Sequence, residues 1–136
     1  GEIAGVQGTP MDFTKPKKVG LQIGEDFEQL RFAGGYDHNW VIDGWKDDGA
    51  LLHFATVTAP KSGRVMKAYT TLPGAQFYAG NFIKEQTGKS GAVYGFRTGM
   101  CLETQYFPDS VNKPRFPSCI FGEGREYDSV TVYQFE

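Results

Sequence analysis

Cysteine and histidine are nearly absent, with two of each in 136 residues. Cys101 and Cys119 form no Cys-x-x-Cys motif, and a disulfide scaffold would carry more thiols. They fit a reduced cytosolic protein or one disulfide; free thiols and a cytoplasmic location are the expectation, with a periplasmic or secreted parent left open. His38 and His53 are far apart and lack ligand spacing, which argues against zinc. No Gly-x-Ser-x-Gly nucleophile elbow appears, and the glycines are too dispersed for a phosphate loop. Apolar runs are also short, well under the roughly 18 residues of a membrane-spanning helix. Basic runs are limited to Lys15–Lys18, interrupted by Pro16, in a chain of net charge −2. That balance argues against a nucleic-acid groove. The chain opens on neither Met nor a signal-peptide pattern, so its first residue is expected to be a boundary rather than a translation start.

What the chain has instead is 18 Gly, 7 Pro, 11 Phe and 7 Tyr. Few stretches favour helix. The best is Glu25–Arg31, where Phe27, Leu30 and Arg31 share one face and Gly34-Gly35 ends the run. Strands are expected over Glu2–Gln7, Tyr36–Asp43, Leu51–Thr58, Arg64–Thr71, Ala75–Gly80, Gly99–Phe107 and Glu126–Phe135. Thr9–Pro16, with prolines near both ends, reads as an extended crossing segment. Trp45–Gly49 reads as a hairpin turn from its Asp-Gly ending. The stretch from Ile83 to Gly91 reads as a surface loop. Pro108–Pro117 reads as a loop with a helical turn after Asp109. Short strands at this spacing imply one all-β domain, an antiparallel β-sandwich or barrel.

Gly99–Phe107 is the most informative strand. Met100, Leu102, Thr104 and Tyr106 make one face, with the composition of a core. Cys101, Glu103 and Gln105 make the other, with no Lys or Arg in the run to pair the carboxylate. A carboxylate in mid-strand is costly to bury without hydrogen bonds. Asp37 with Asn39, and Gln76 with Tyr78, extend the same pattern on two other strands. Carboxylates and amides mixed with aromatic rings suit a polyhydroxylated ligand, since sugar hydroxyls both donate and accept and rings cover C–H faces. Their convergence follows from alternation and would fail if register slipped by one residue. A solvated polar face is the plain alternative.

Several segments resemble the C-terminal part of the aldose 1-epimerase (galactose mutarotase) family. They are Gly8–Pro16, Gly35-Tyr36-Asp37-His38-Asn39-Trp40-Val41, Gly74–Asn81, Cys101-Leu102-Glu103-Thr104-Gln105-Tyr106-Phe107-Pro108-Asp109-Ser110, and Thr131–Phe135. Order and approximate spacing match, over essentially the whole chain. The resemblance implies that residues 1–136 are the C-terminal portion of a large mutarotase-like β-sandwich. It implies interconversion of the α and β anomers of aldoses such as galactose and glucose, without a cofactor. It also implies roles: Glu103 as base on the anomeric hydroxyl, Asp37 as holder of sugar hydroxyls, and Gln76 as a further sugar contact.

One departure qualifies this. The family's acid is a histidine in an N-terminal half that these residues do not include. Neither His38 nor His53 matches it, and His38 is expected to be a structural imidazole bonded to backbone. The chain alone is therefore expected to be inactive; the alternative is a non-catalytic carbohydrate-binding β-sheet domain. Exposed sheet edges or bare apolar surface are expected where the N-terminal half, or a second copy, would pack.

Overall fold

The computed structural model describes residues 1–136 and contains one short α-helix, three single-turn 3-10 helices and eight strands. Helix α1 is Glu28–Ala33. The strands are β1 (Asp37–Val41), β2 (Leu52–Ala59), β3 (Arg64–Thr70), β4 (Gly74–Tyr78), β5 (Gln86–Thr87), β6 (Val93–Tyr94), β7 (Cys101–Gln105) and β8 (Thr131–Phe135). They form three sheets, ordered β1-β4-β7, β2-β3-β8 and β5-β6. The expected all-β, antiparallel class holds. Two compact units divide the chain: Gly1–His38 with Gln76–Glu103, and Asn39–Ala75 with Thr104–Glu136.

In the first unit, α1 ends where Gly34 takes the left-handed conformation, φ 61°, and its N–H returns to the Leu30 carbonyl. A glycine tolerates that geometry without a Cβ penalty. Leu30, Met11 and Ile23 are buried, and Tyr36 is fully so. The Tyr36 ring lies 5.0 Å from Phe13, edge-on, and 5.6 Å from Phe77, stacked. Its hydroxyl donates to the Pro10 carbonyl at 2.9 Å, so burying the phenol leaves no orphan donor. Because side chains alternate along a strand, the inward Tyr36 and the Phe77 stacked on it turn Asp37, Gln76 and Tyr78 to the opposite face.

The pairing of β1 with β4 can be followed from its ends. Ala79 N–H donates to the Tyr36 carbonyl, and Ile42 N–H donates to that of Pro73. Both bonds keep the same offset, so the strands run antiparallel without a net bulge and Asp37 faces Tyr78.

In the second unit, β2 and β3 pair antiparallel from Leu52↔Thr70 to Ala59↔Arg64, with one irregularity between His53 and Ala55. Strand β8 pairs with β3 from Met66↔Phe135 to Thr70↔Thr131. Thr70 and Ala68 are fully buried, and the Thr70 hydroxyl accepts from Leu72 N–H at 3.1 Å.

Five expectations need correction. Residues 2–7 form no strand, and the chain turns directly after them, with Thr9 N–H on the Val6 carbonyl. Thr9–Pro16 is turned rather than extended: Thr9 N–H bonds the Val6 carbonyl, Asp12 N–H bonds that of Thr9, and Asp12 Oδ1 accepts from Thr14 N–H. Trp45–Gly49 is no hairpin turn, because β1 and β2 belong to different sheets and the Trp45 indole N–H is held by the Thr71 carbonyl at 2.8 Å. The stretch from Ile83 to Gly91 includes β5, whose partner is β6. The last strand begins at Thr131 rather than Glu126, since its partner β3 ends at Thr70.

Seventeen large apolar side chains are exposed, more than the eleven apolar residues that are buried. Phe32 at 74%, Phe135 at 70% and Leu21 at 66% are the barest. The expected bare apolar surface is present.

The Tyr36 hydroxyl provides a local test. Tyr36→Phe keeps the ring packing and removes one buried hydrogen bond, so stability should fall by about 1 kcal/mol in urea titration. An unchanged midpoint would contradict the role given to that bond.

Candidate functional site

Asp37, Gln76, Cys101 and Glu103 all belong to the first unit. Gln76 Nε2 donates to Asp37 Oδ1 at 2.8 Å. An ionised carboxylate only accepts, so the amide orientation is fixed by chemistry: nitrogen toward Asp37, oxygen away. Gln76 Oε1 is left buried with no hydrogen-bond partner. A buried acceptor without a donor costs free energy until something supplies one. In the second unit, Asn39 Oδ1 is orphaned in the same way, although Asn39 Nδ2 reaches the Trp40 carbonyl at 3.3 Å.

Glu103 is exposed at the middle of β7. The Cys101 thiol, two residues before it on the same face, donates a hydrogen bond to the Glu103 carboxylate. Partial burial pushes the thiol pKa up; the charge of Glu103, that hydrogen bond and, last, the charge of Asp37 push the same way. The thiol therefore feels both carboxylates, Glu103 more strongly. Cys101 and Cys119 are both free.

Neither histidine joins this group. His38 Nδ1 accepts from Asp37 N–H at 3.1 Å, and the ring also bonds the Gln29 backbone. Burial pulls its pKa below the ordinary value, against opposing pushes from Asp37 and Gln29. The imidazole is a backbone-bonded structural group, as expected. His53 Nε2 lies 2.9 Å from Thr56 Oγ1, and its ring is edge-on to Tyr69 at 5.2 Å.

The backbone leading into Asp37 is held by residues to which sequence reasoning gave no role. Asn81 is 8% exposed, and its Nδ2 donates to the Ala33 carbonyl at 3.1 Å and the Tyr36 carbonyl at 2.9 Å. Arg97 donates through Nε to Asn81 Oδ1 at 3.3 Å and through Nη2 to the Gly34 carbonyl at 2.8 Å. Arg97 itself adopts φ 58°, a costly conformation for a non-glycine residue that these bonds hold in place. The space for this clamp comes from Gly35, φ 136°, where a Cβ would stand 2.4 Å from Asn81 Oδ1. Only the Gly34-Gly35 pair hinted at it in the sequence.

A profile of the aldose 1-epimerase family matches residues 1–134. The chain belongs to the aldose 1-epimerase family. It is 47% identical to the galactose mutarotase of Homo sapiens over 137 aligned positions, covering 99% of this chain and 37% of that protein. The Mus musculus galactose mutarotase is 42% identical, with the same coverage of both chains. The aldose 1-epimerase of Escherichia coli is 36% identical over 96% of this chain and 37% of its own length. A crystal structure of a GalM/aldose epimerase homologue from C. elegans superposes with TM-score 0.72 at 25% identity, over 96% of this chain and 38% of that one. The chain thus spans a little over a third of the length of these relatives. The fold is that of the aldose epimerases over the region matched.

Two outcomes test this arrangement. Carboxymethylation of Cys101, followed by peptide mass spectrometry, should show a pH midpoint above that of an ordinary thiol, because the thiolate forms late. Glu103→Gln removes a negative charge that resists thiolate formation, so the midpoint should fall; no movement would separate the two side chains. Gly35→Ala should cost about 2 kcal/mol or more in urea, from strained φ and displacement of the Asn81 amide. A neutral substitution would mean that the clamp does not bear on stability.

Proposed function

We propose that residues 1–136 are the C-terminal portion of a mutarotase-type β-sandwich that binds hexoses such as galactose and glucose. Glu103 is the base and Asp37 and Gln76 are sugar ligands in this reading. The supporting observation is the Asp37–Gln76 pair: a carboxylate that accepts, beside an amide oxygen that has lost its water and gained no donor. A sugar hydroxyl supplies that donor and accepts another bond in return.

The chemistry asked of the site is proton transfer at two oxygens. Glu103 takes the proton from O1 of the hemiacetal while an acid protonates the ring oxygen O5. The C1–O5 bond breaks and C1 becomes an aldehyde. Rotation about C1–C2 presents the other face of the carbonyl, and the same groups in reversed roles reclose the ring. Each positioned acid or base contributes about 10²–10⁴-fold. No cofactor enters this scheme.

The acid is the missing partner. His38 and His53 are both engaged elsewhere, and neither matches the family's acid. The acid therefore comes from residues outside 1–136, and the chain by itself binds sugar without turning it over.

Polarimetry of freshly dissolved α-D-glucose tests the catalytic half. The chain alone should leave the spontaneous relaxation rate unchanged. An acceleration that Glu103→Gln abolishes would overturn the assignment of the acid to another segment. Saturation-transfer NMR with galactose tests the binding half: the signal should be present for the chain and lost in Asp37→Asn. Equal signals from both would remove Asp37 from the site.

A further inference from the structure

We propose that Tyr78 and Phe82 form an aromatic platform that receives the apolar C–H face of a pyranose whose hydroxyls engage Asp37 and Gln76. The inference rests on the sugar-binding reading above and adds residues that the reading does not use. Tyr78 faces Asp37 across the β1–β4 pair and lies two residues from Gln76 on the same strand, so all three side chains leave the same face of the sheet. The Phe82 ring lies nearly parallel to that of Tyr78, with centroids 6.3 Å apart and planes 16° apart. Phe82 is 64% exposed, so this apolar ring stands bare beside Tyr78.

The platform is prebuilt. Phe82 N–H donates to the Tyr78 hydroxyl at 2.8 Å, which folds residues 79–82 back over the strand. Asn81, immediately before Phe82, bonds the carbonyl of Tyr36, immediately before Asp37. Aromatic ring and carboxylate are thus each one residue from the same buried joint. Their separation is set by one hydrogen-bonded clamp rather than by a free loop. Stacking surface and hydroxyl acceptors at a fixed spacing are what a pyranose needs, since it carries hydroxyls at its rim and a C–H patch on its face. A bare ring serving only to meet another apolar surface would not require a rigid link to the carboxylate.

Titration of the 136-residue chain with methyl β-D-galactopyranoside, followed by ¹H–¹⁵N NMR, decides the matter; the locked anomer excludes ring opening. The chain should show saturable shifts at residues 37, 76, 78 and 82. Phe82→Ala should weaken binding about two- to tenfold, and Phe82→Trp should restore it. Phe82 is exposed and its bond to Tyr78 is made by backbone, so either variant should keep the parent's spectral dispersion. Unchanged affinity in Phe82→Ala with binding lost in Asp37→Asn would overturn the platform and leave the sugar site standing. Unchanged affinity in both variants, or no saturable shift in the parent chain, would overturn both. A Phe82→Ala effect confined to self-association in sedimentation would assign the ring to a protein contact and overturn the platform.

Discussion

The carbonyl oxygen of Tyr36 is the point on which the first unit depends. It accepts from Ala79 N–H and from Asn81 Nδ2, both at 2.9 Å. The ring of the same residue is buried between Phe13 and Phe77, and its hydroxyl is tied to Pro10. One residue thus joins the N-terminal turns, the end of α1, β1 and the exit of β4. With Tyr36 fixed inward, alternation leaves Asp37 no choice but the other face. The polar group is aimed by the apolar one before it. A mobile side chain at Tyr36 would loosen the backbone from which the carboxylate projects, even with every polar residue intact.

Much of this was legible in residues 37–78, and the reason is local. Strands β2 and β3 are rich in β-branched and aromatic residues, and the turn between them carries Pro60 and Gly63. Period-two alternation over β1 and β4 predicted which side chains share a face, and the Asp37–Gln76 bond requires that pattern. The end of α1 at Gly34 was legible because only a residue without Cβ rests easily at φ 61°. What local reading missed depends on partners distant in sequence. Residues 2–7 look like a strand but join none of the three sheets. Trp45–Gly49 has hairpin composition, yet Thr71 holds the indole and the strands on either side enter different sheets. Asn81 and Arg97 carry no periodic signature; their importance lies in three carbonyls, Ala33, Gly34 and Tyr36, that no pattern places beside them. The roles of Asp37, Gln76 and Glu103 came from resemblance, since exposure and charge alone also describe an ordinary solvated strand face.

Family membership and coverage bear on the same surface. The chain corresponds to a little over a third of the length of its relatives, and its exposed large apolar side chains outnumber its buried apolar residues. A self-sufficient domain of this size buries most of its apolar surface. The excess of bare hydrocarbon is observed; the want of an acid belongs to the proposed function, and the two grounds are independent, one physical and one chemical. Under the proposed function both would be met by the same remedy, further protein packed against the bare apolar surface. The alternative remedy, a second copy, would cover hydrocarbon but would bring only the same two histidines, each held by its own bonds.

Gln76 shows why a fixed partner matters more than composition here. A free carboxamide can present either its oxygen or its nitrogen to a ligand, and so discriminates poorly among hydroxyl arrangements. Bonded to Asp37 it has one orientation, and the pair then offers two acceptors, the second oxygen of the carboxylate and the amide oxygen, with the second amide N–H as its remaining donor. A ligand that satisfies both must donate twice at a defined spacing. A pair weighted toward acceptors and carrying a carboxylate favours a polyol over a carboxylate or phosphate, which would meet it with lone pairs and negative charge. The acidic character of Glu103 reinforces that exclusion. Selectivity against anionic sugars would follow from how the amide is held, without a single residue dedicated to repelling them.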